Sequence, residues 1–164
     1  METQPLTSKE YFRGLSIMHF ALIAGQVIFG IIAFALGKTI SNGFDPTTQQ
    51  GLLIAVPIFI IGTFIASTIV FRKRVENIKT RSTLNEKMTE YRAALIISYA
   101  MLEGGSMFAI VAYILTSNII LLSLSALIIA VMIINKPSIQ KAVSDLELNS
   151  DDEKKLNNPD SIIS

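Results

Sequence analysis

The run "YAMLEGGSMFAIVAYIL", residues 99–115, is apolar and long enough to cross a bilayer, yet it carries one carboxylate, Glu103, near its middle. An ionised acid at the centre of a membrane helix costs about 2.5–3.5 kcal/mol on insertion scales. Glu103 is therefore expected to turn toward neighbouring helices. At about 100° per residue, Arg92, Tyr99, Glu103, Ser106 and Tyr113 form one stripe along their helix. A looser stripe on an earlier helix contains Ser16, His19, Gln26 and Gly30, and a third helix adds Thr63 and Ser67 one turn apart. These positions predict a polar pocket centred on Glu103 and Gln26, with His19, Tyr99 and Ser106 around it. A neutral Glu103 can donate to Gln26 or to a backbone carbonyl, whereas an ionised one needs a cation, His19 or water. Two roles follow: a hydrogen-bonded pair that fixes helix packing, or a site that holds or passes a proton, a cation or a small ligand.

Other chemistry is thinly supported. His19 is the single histidine and lacks a clear second strong ligand, so neither a metal nor haem is expected. With no cysteine in the chain, disulfides, thiolate catalysis and cysteine-held metals are excluded. Met88, Met101 and Met107 read as packing. No phosphate loop, zinc-protease motif, GxSxG or nucleophile–base pair is present, so an enzyme is not expected and no cofactor is implied.

The elements that must position these groups are membrane spans. Of the 164 residues, 51% are hydrophobic and only 16% charged, against about a quarter charged in soluble domains. Four apolar stretches, about 14–36, 51–71, 93–115 and 119–134, approach or meet the roughly 17–25 residues a span requires. The first is too long for a secretory core and reads as a retained helix. Basic residues are unevenly placed. Lys9 and Arg13 precede the first stretch; Arg72, Lys73, Arg74, Lys79, Arg81, Lys87 and Arg92 crowd the central loop; Lys136, Lys141, Lys154 and Lys155 follow the fourth. Positive residues remain cytoplasmic, which predicts a multi-pass inner-membrane protein with both termini inside. The "FRKR" run reads as a topology signal touching lipid headgroups, with no nucleic acid as partner.

The connections refine this layout. "GKTISNGFDPTTQQ" is a polar outer loop with Asn42-Gly43 and Asp45-Pro46 as turn signals. "TSN" is so short that the third and fourth helices must be antiparallel neighbours. "TLNE" is a capping box pairing Thr83 with Glu86. Leu84, Met88 and Tyr91 then share one face, and Val75 and Ile78 extend the second helix, predicting a cytoplasmic collar. Pro57 and Gly62 suggest a bend in the second helix. Residues 137–148 form an amphipathic segment carrying Ile139, Val143 and Leu146, which completes a membrane domain over 1–148. The polar tail, 149–164, is expected to be disordered.

A shift of 79 positions lays "FRGLSIMHFALIAGQVIFGIIAFAL" over "YRAALIISYAMLEGGSMFAIVAYIL". Arg13/Arg92, Gly25/Gly104, Phe29/Phe108 and several aromatic pairs match. This predicts an all-α, four-helix bundle of two parallel-repeat hairpins, with Gly25, Gly104 and Gly105 permitting close helix approach. The same two segments resemble those of small four-helix bacterial membrane proteins, a resemblance that implies a fold and an inner-membrane location but no activity. A partial resemblance to rotary ATPase proteolipid subunits rests on the repeated hairpin, Glu103 and Gln26. Glu103 lies on the first helix of its hairpin rather than the second, the glycine-repeat run is missing and the expected orientation is opposite, so that assignment is not adopted. The expectation is a membrane-embedded accessory or interaction subunit, in a homo-oligomer or a larger complex. The alternative is a proton- or cation-coupled transport component with Glu103 as the titratable group.

Overall fold

Helices α1 (Ser8–Ile40), α2 (Pro46–Lys79) and α3 (Leu84–Thr116) contain 33, 34 and 33 residues. At 1.5 Å per residue each is about 50 Å long, well beyond a hydrocarbon core of about 30 Å. They come from a computed structural model that describes residues 6–40 and 45–163. The remaining elements are α4 (Ile119–Ile134), α5 (Ile139–Leu146) and α6 (Ser150–Asn157). The chain is all-α, a bundle of three long apolar helices and a bent pair.

Each boundary has a local cause. Thr7 and Glu10 form a complete capping box at the start of α1: the Thr7 amide donates to Glu10 Oε2 at 3.0 Å, and the Glu10 amide donates to Thr7 Oγ1 at 3.3 Å. Sequence reading overlooked this "TSKE" signature. Asp45 caps α2 by accepting from the Thr47 amide, with Pro46 at the first helical position. The polar outer loop is correspondingly shorter than expected, and its Asn42-Gly43 turn lies outside the described residues. α2 continues through Pro57 as one helix. At α3, the Glu86 amide donates to Thr83 Oγ1 at 3.2 Å, the forward half of the anticipated box. Ser117, at φ 50°, ends α3 in the left-handed conformation, and Asn118 caps α4 at once. That two-residue turn sends α4 back along α3.

Among the described residues, three helices are long and apolar enough to cross a membrane unaided. α4 has 16 residues, and the chain then bends by 84° into α5, so a fourth crossing exists only if this bent pair is counted as one span. Ser138 caps α5, and Pro137 is buried in the bend.

The apolar surface identifies the surrounding medium. Ile17, Ile28 and Ile31 on α1, and Ile54, Ile58 and Ile61 on α2, are all exposed. Soluble monomers rarely expose contiguous apolar patches beyond a few hundred Å², but lipid solvates such a girdle.

α3 is the central helix. Of its most apolar stretch 44% is buried, against 22% for α1 and 17% for α2. It packs on α1, α2 and α4, while α1 and α2 lie on its flanks. Two equivalent hairpins are therefore not found. α1 and α3 instead lie parallel and in register: Tyr11 OH donates to the Met88 carbonyl, the His19 ring meets Tyr99, and Phe34 stacks on Tyr113. Residues matched by the 79-position shift sit at similar heights without being equivalent, because α3 is surrounded and α1 is peripheral.

Outside the apolar zone, Val75, Ile78, Leu84, Met88 and Tyr91 are buried and form the expected collar. α5 rests on it through Ala142 and Leu146. The tail departs from expectation. Asn149 caps α6, Leu156 is fully buried, and residues 158–163 run back along the start of α1. The Ser8 amide donates to the Ser161 carbonyl at 2.9 Å, and the Ile163 amide to the Leu6 carbonyl at 3.0 Å. Composition missed this because Leu156 and Ile163 are isolated anchors, too sparse to create periodicity.

Candidate functional site

On α1, Leu15, His19 and Gln26 recur at helical spacing and are all fully buried. They face α3 and α4. The His19 and Tyr99 ring centroids are 4.5 Å apart. Gln26 Nε2 donates to the Leu22 carbonyl at 3.3 Å and to Met132 Sδ at 3.4 Å. Tyr99 OH donates to the Asn135 carbonyl at 2.9 Å, and Ser106 Oγ pairs with Ser125 Oγ at 2.8 Å. Four of the five nominated polar residues, His19, Gln26, Tyr99 and Ser106, thus lie in one buried layer between α1, α3 and α4. α2 does not close it; Thr63 bonds back to the Ile60 carbonyl, and Ser67 pairs with Ser98 on another side of α3.

Unsatisfied atoms mark this layer. Neither His19 ring nitrogen nor Gln26 Oε1 has a hydrogen-bond partner among the described residues. Most buried polar atoms are paired, and an unpaired one costs about 1–3 kcal/mol. A neutral histidine supplies one donor and one acceptor, and the glutamine oxygen a further acceptor.

Glu103 is not part of that layer, which corrects the buried Glu103–Gln26 pair expected from sequence. Glu103 is half-buried and makes no hydrogen bond or ion pair among the described residues. Its stripe spans a wide arc, with Ser106 and Tyr113 in the core and Glu103 at the edge. The next positions outward, Ala100 and Gly104, are exposed. By the α1–α3 register, Ala21, Ala24 and Gly25 lie near the same height on α1, and they are exposed too.

The packing glycines separate in the same way. A Cβ on Gly25 or Gly104 would meet nothing within 4 Å, whereas one on Gly105 would sit 2.7 Å from Thr63 Oγ1. Close approach belongs to Gly105, where α2 crosses α3. Gly25 and Gly104 face outward because none of the described helices covers that flank.

A second feature escaped sequence reading altogether. A cavity of about 580 Å³ lies between α2, α3, the end of α4 and α5. Its walls run from Phe64, Ser67 and Leu102 to Arg72, Lys79, Lys141 and Asp145. No stretch of sequence could reveal it, since four separate elements form it.

No group of three or more histidine, aspartate or glutamate side chains placed to hold a metal occurs among the described residues. No family model matches the chain, and neither a curated protein nor a solved structure matches it. The helices and their apolar girdle define the class: a small, all-helical, multi-pass integral membrane protein.

Proposed function

We propose that the protein is a non-enzymatic accessory subunit of a membrane complex, and that Glu103 is its contact with a membrane-spanning helix of a partner. The carrying observation is the carboxyl itself: mid-span, half-buried, unpaired, and beside the exposed small residues Ala100 and Gly104. Small residues allow a foreign helix to come close, and a donor on that helix offsets the cost of a polar group in hydrocarbon. The basic central loop supports placing it and both termini on the cytoplasmic side of an inner membrane. The second reading, proton- or cation-coupled transport through Glu103, draws on the unpaired atoms of His19 and Gln26 deeper in the bundle.

Site-specific photo-crosslinking in cells separates these readings. A photoreactive residue at position 104 should give one discrete adduct, absent when the probe is at lipid-facing Ile134, which is 79% exposed. Glu103→Leu should abolish the adduct and Glu103→Gln should retain it, since an amide still hydrogen-bonds. An adduct indifferent to Glu103→Leu would sink the docking role. Loss of ion flux in reconstituted Glu103→Gln vesicles would move the assignment to transport.

A further inference from the structure

The cavity beside α2 exists because α4 is too short. α4 runs back along α3 and stops where Tyr99 OH meets the Asn135 carbonyl. From there α3 continues to Leu84 and α2 to Lys79, about four further turns at 3.6 residues per turn. α5, turned by 84°, does not fill the gap but roofs it. The resulting notch has apolar walls at membrane depth and charges at its mouth. At about 580 Å³ it falls within the range of roughly 300–1,000 Å³ typical of ligand sites. Phe64 and Arg72, both exposed, form its outer lip.

Three cations, Arg72, Lys79 and Lys141, and three carboxylates, Glu76, Asp145 and Glu147, meet at the mouth and are unevenly paired. Lys79 Nζ holds Glu76 at 2.9 Å and Glu147 at 2.7 Å. Asp145 Oδ2 accepts from Tyr91 OH at 2.8 Å. The Tyr91 hydroxyl is neutral, so Asp145 keeps its charge and acts on Lys141, although neither Lys141 nor Arg72 has an ion pair within 4.0 Å among the described residues. Lys141 Nζ reaches only the neutral Asn135 Oδ1, at 3.2 Å. An unpaired guanidinium, and an ammonium held by a neutral amide oxygen and faced by Asp145, thus sit above an aromatic and aliphatic slot, and the slot opens toward lipid.

We infer that this notch binds an anionic phospholipid of the surrounding leaflet, its phosphate between Arg72 and Lys141 and its acyl chain along Phe64, Phe71 and Leu102. A guanidinium fork suits phosphate oxygens, and basic pockets between membrane helices recognise anionic headgroups. The chain needs no fully enclosed tunnel, because the exposed apolar side chains of α2 continue the slot into the bilayer.

Native mass spectrometry of delipidated protein in mild detergent tests the assignment, with phosphatidylglycerol and phosphatidylcholine of identical chains as probes. Two cations acting on a bound anion, opposed in part by Asp145, should favour phosphatidylglycerol by up to about thirtyfold. Arg72→Gln, at an exposed position that should not disturb folding, should lose about fivefold of that preference. Arg72→Gln combined with Lys141→Gln should leave the two lipids equal, while Lys154→Gln, outside the notch, should change nothing. Equal retention of both lipids by the wild-type protein would overturn the inference, as would an undiminished preference in Arg72→Gln. Displacement of the lipid by inorganic phosphate alone would also overturn it, showing a free-anion site instead.

Discussion

The collar's buried hydroxyls are paired, whereas the membrane interior pairs most of its polar groups but leaves three atoms of one layer without a partner among the described residues. In the collar, Tyr91 OH has Asp145, Tyr11 OH has the Met88 carbonyl, and Ser8 Oγ has the Leu156 carbonyl at 2.6 Å. In the interior, three atoms of His19 and Gln26 are unpaired. Near water, an unpaired group could have been left hydrated, so the collar's partners serve to lock α1, α3, α5 and the tail in one arrangement. Within hydrocarbon no solvent competes, and a polar atom that lacks a protein partner is held there at a cost by surrounding packing. The two regions therefore differ at particular residues: the collar's hydroxyls, like Ser67, Tyr99 and Ser106 in the interior, fix the fold, and His19 and Gln26 are the candidates for function.

The largest expected effect tests the collar's ordered tail. Leu156 is fully buried beneath α6, so Leu156→Ala should destabilise the protein by about 2–5 kcal/mol. Thermal unfolding in detergent would measure the loss, accompanied by faster proteolysis within 149–163. A mutant melting like the wild type would mean that the tail contributes no packing energy.

Next in size is a direct contrast between the regions. Tyr91→Phe strands the Asp145 carboxylate, at a cost of about 1.5–3 kcal/mol for a charged hydrogen bond. Gln26→Met removes the unpaired oxygen together with the long Nε2 bonds to the Leu22 carbonyl and Met132 Sδ, conserves volume, and should change stability by less than about 1.5 kcal/mol. If Gln26→Met proved the more damaging, measured by the same thermal unfolding, the interior layer would have a partner beyond the protein's own atoms.

The smallest contrast lies within the interior. Gly105→Ala forces Thr63 Oγ1 from its bond to the Ile60 carbonyl, which should leave it about 0.5–1.5 kcal/mol less stable than Gly104→Ala, since both gain the same helix propensity. Gly104→Ala meets open space and should be neutral, or stabilising by up to about 1 kcal/mol through helix propensity. Unfolding midpoints in one detergent would rank the pair, and equal effects would remove Gly105 from the α2–α3 crossing.

Much of the architecture was legible in the chain because it depends on local patterns. Apolar runs of span length, Thr83 before Glu86, and Leu84, Met88 and Tyr91 at helical spacing all have short-range causes. Other features had no local signature. Helical spacing places Glu103 on one stripe with Ser106 and Tyr113, but the stripe is wide, and its edges have different environments. Whether an edge meets protein or lipid depends on where α1 and α4 dock. The 79-position similarity likewise could not distinguish two equivalent helices from two helices lying side by side.

The amino-acid order alone determined that this chain enters a membrane, where its helices begin, and which residues are polar at depth, since hydropathy and capping act within a few residues. Only the tertiary structure decided that α3 is central, that Glu103 sits outside the layer holding Gln26, and that the short α4 leaves a notch lipped by Arg72 and Lys141. Those outcomes depend on the relative placement of elements dozens of residues apart, and side-chain packing between helices, rather than pattern along any one of them, sets that placement.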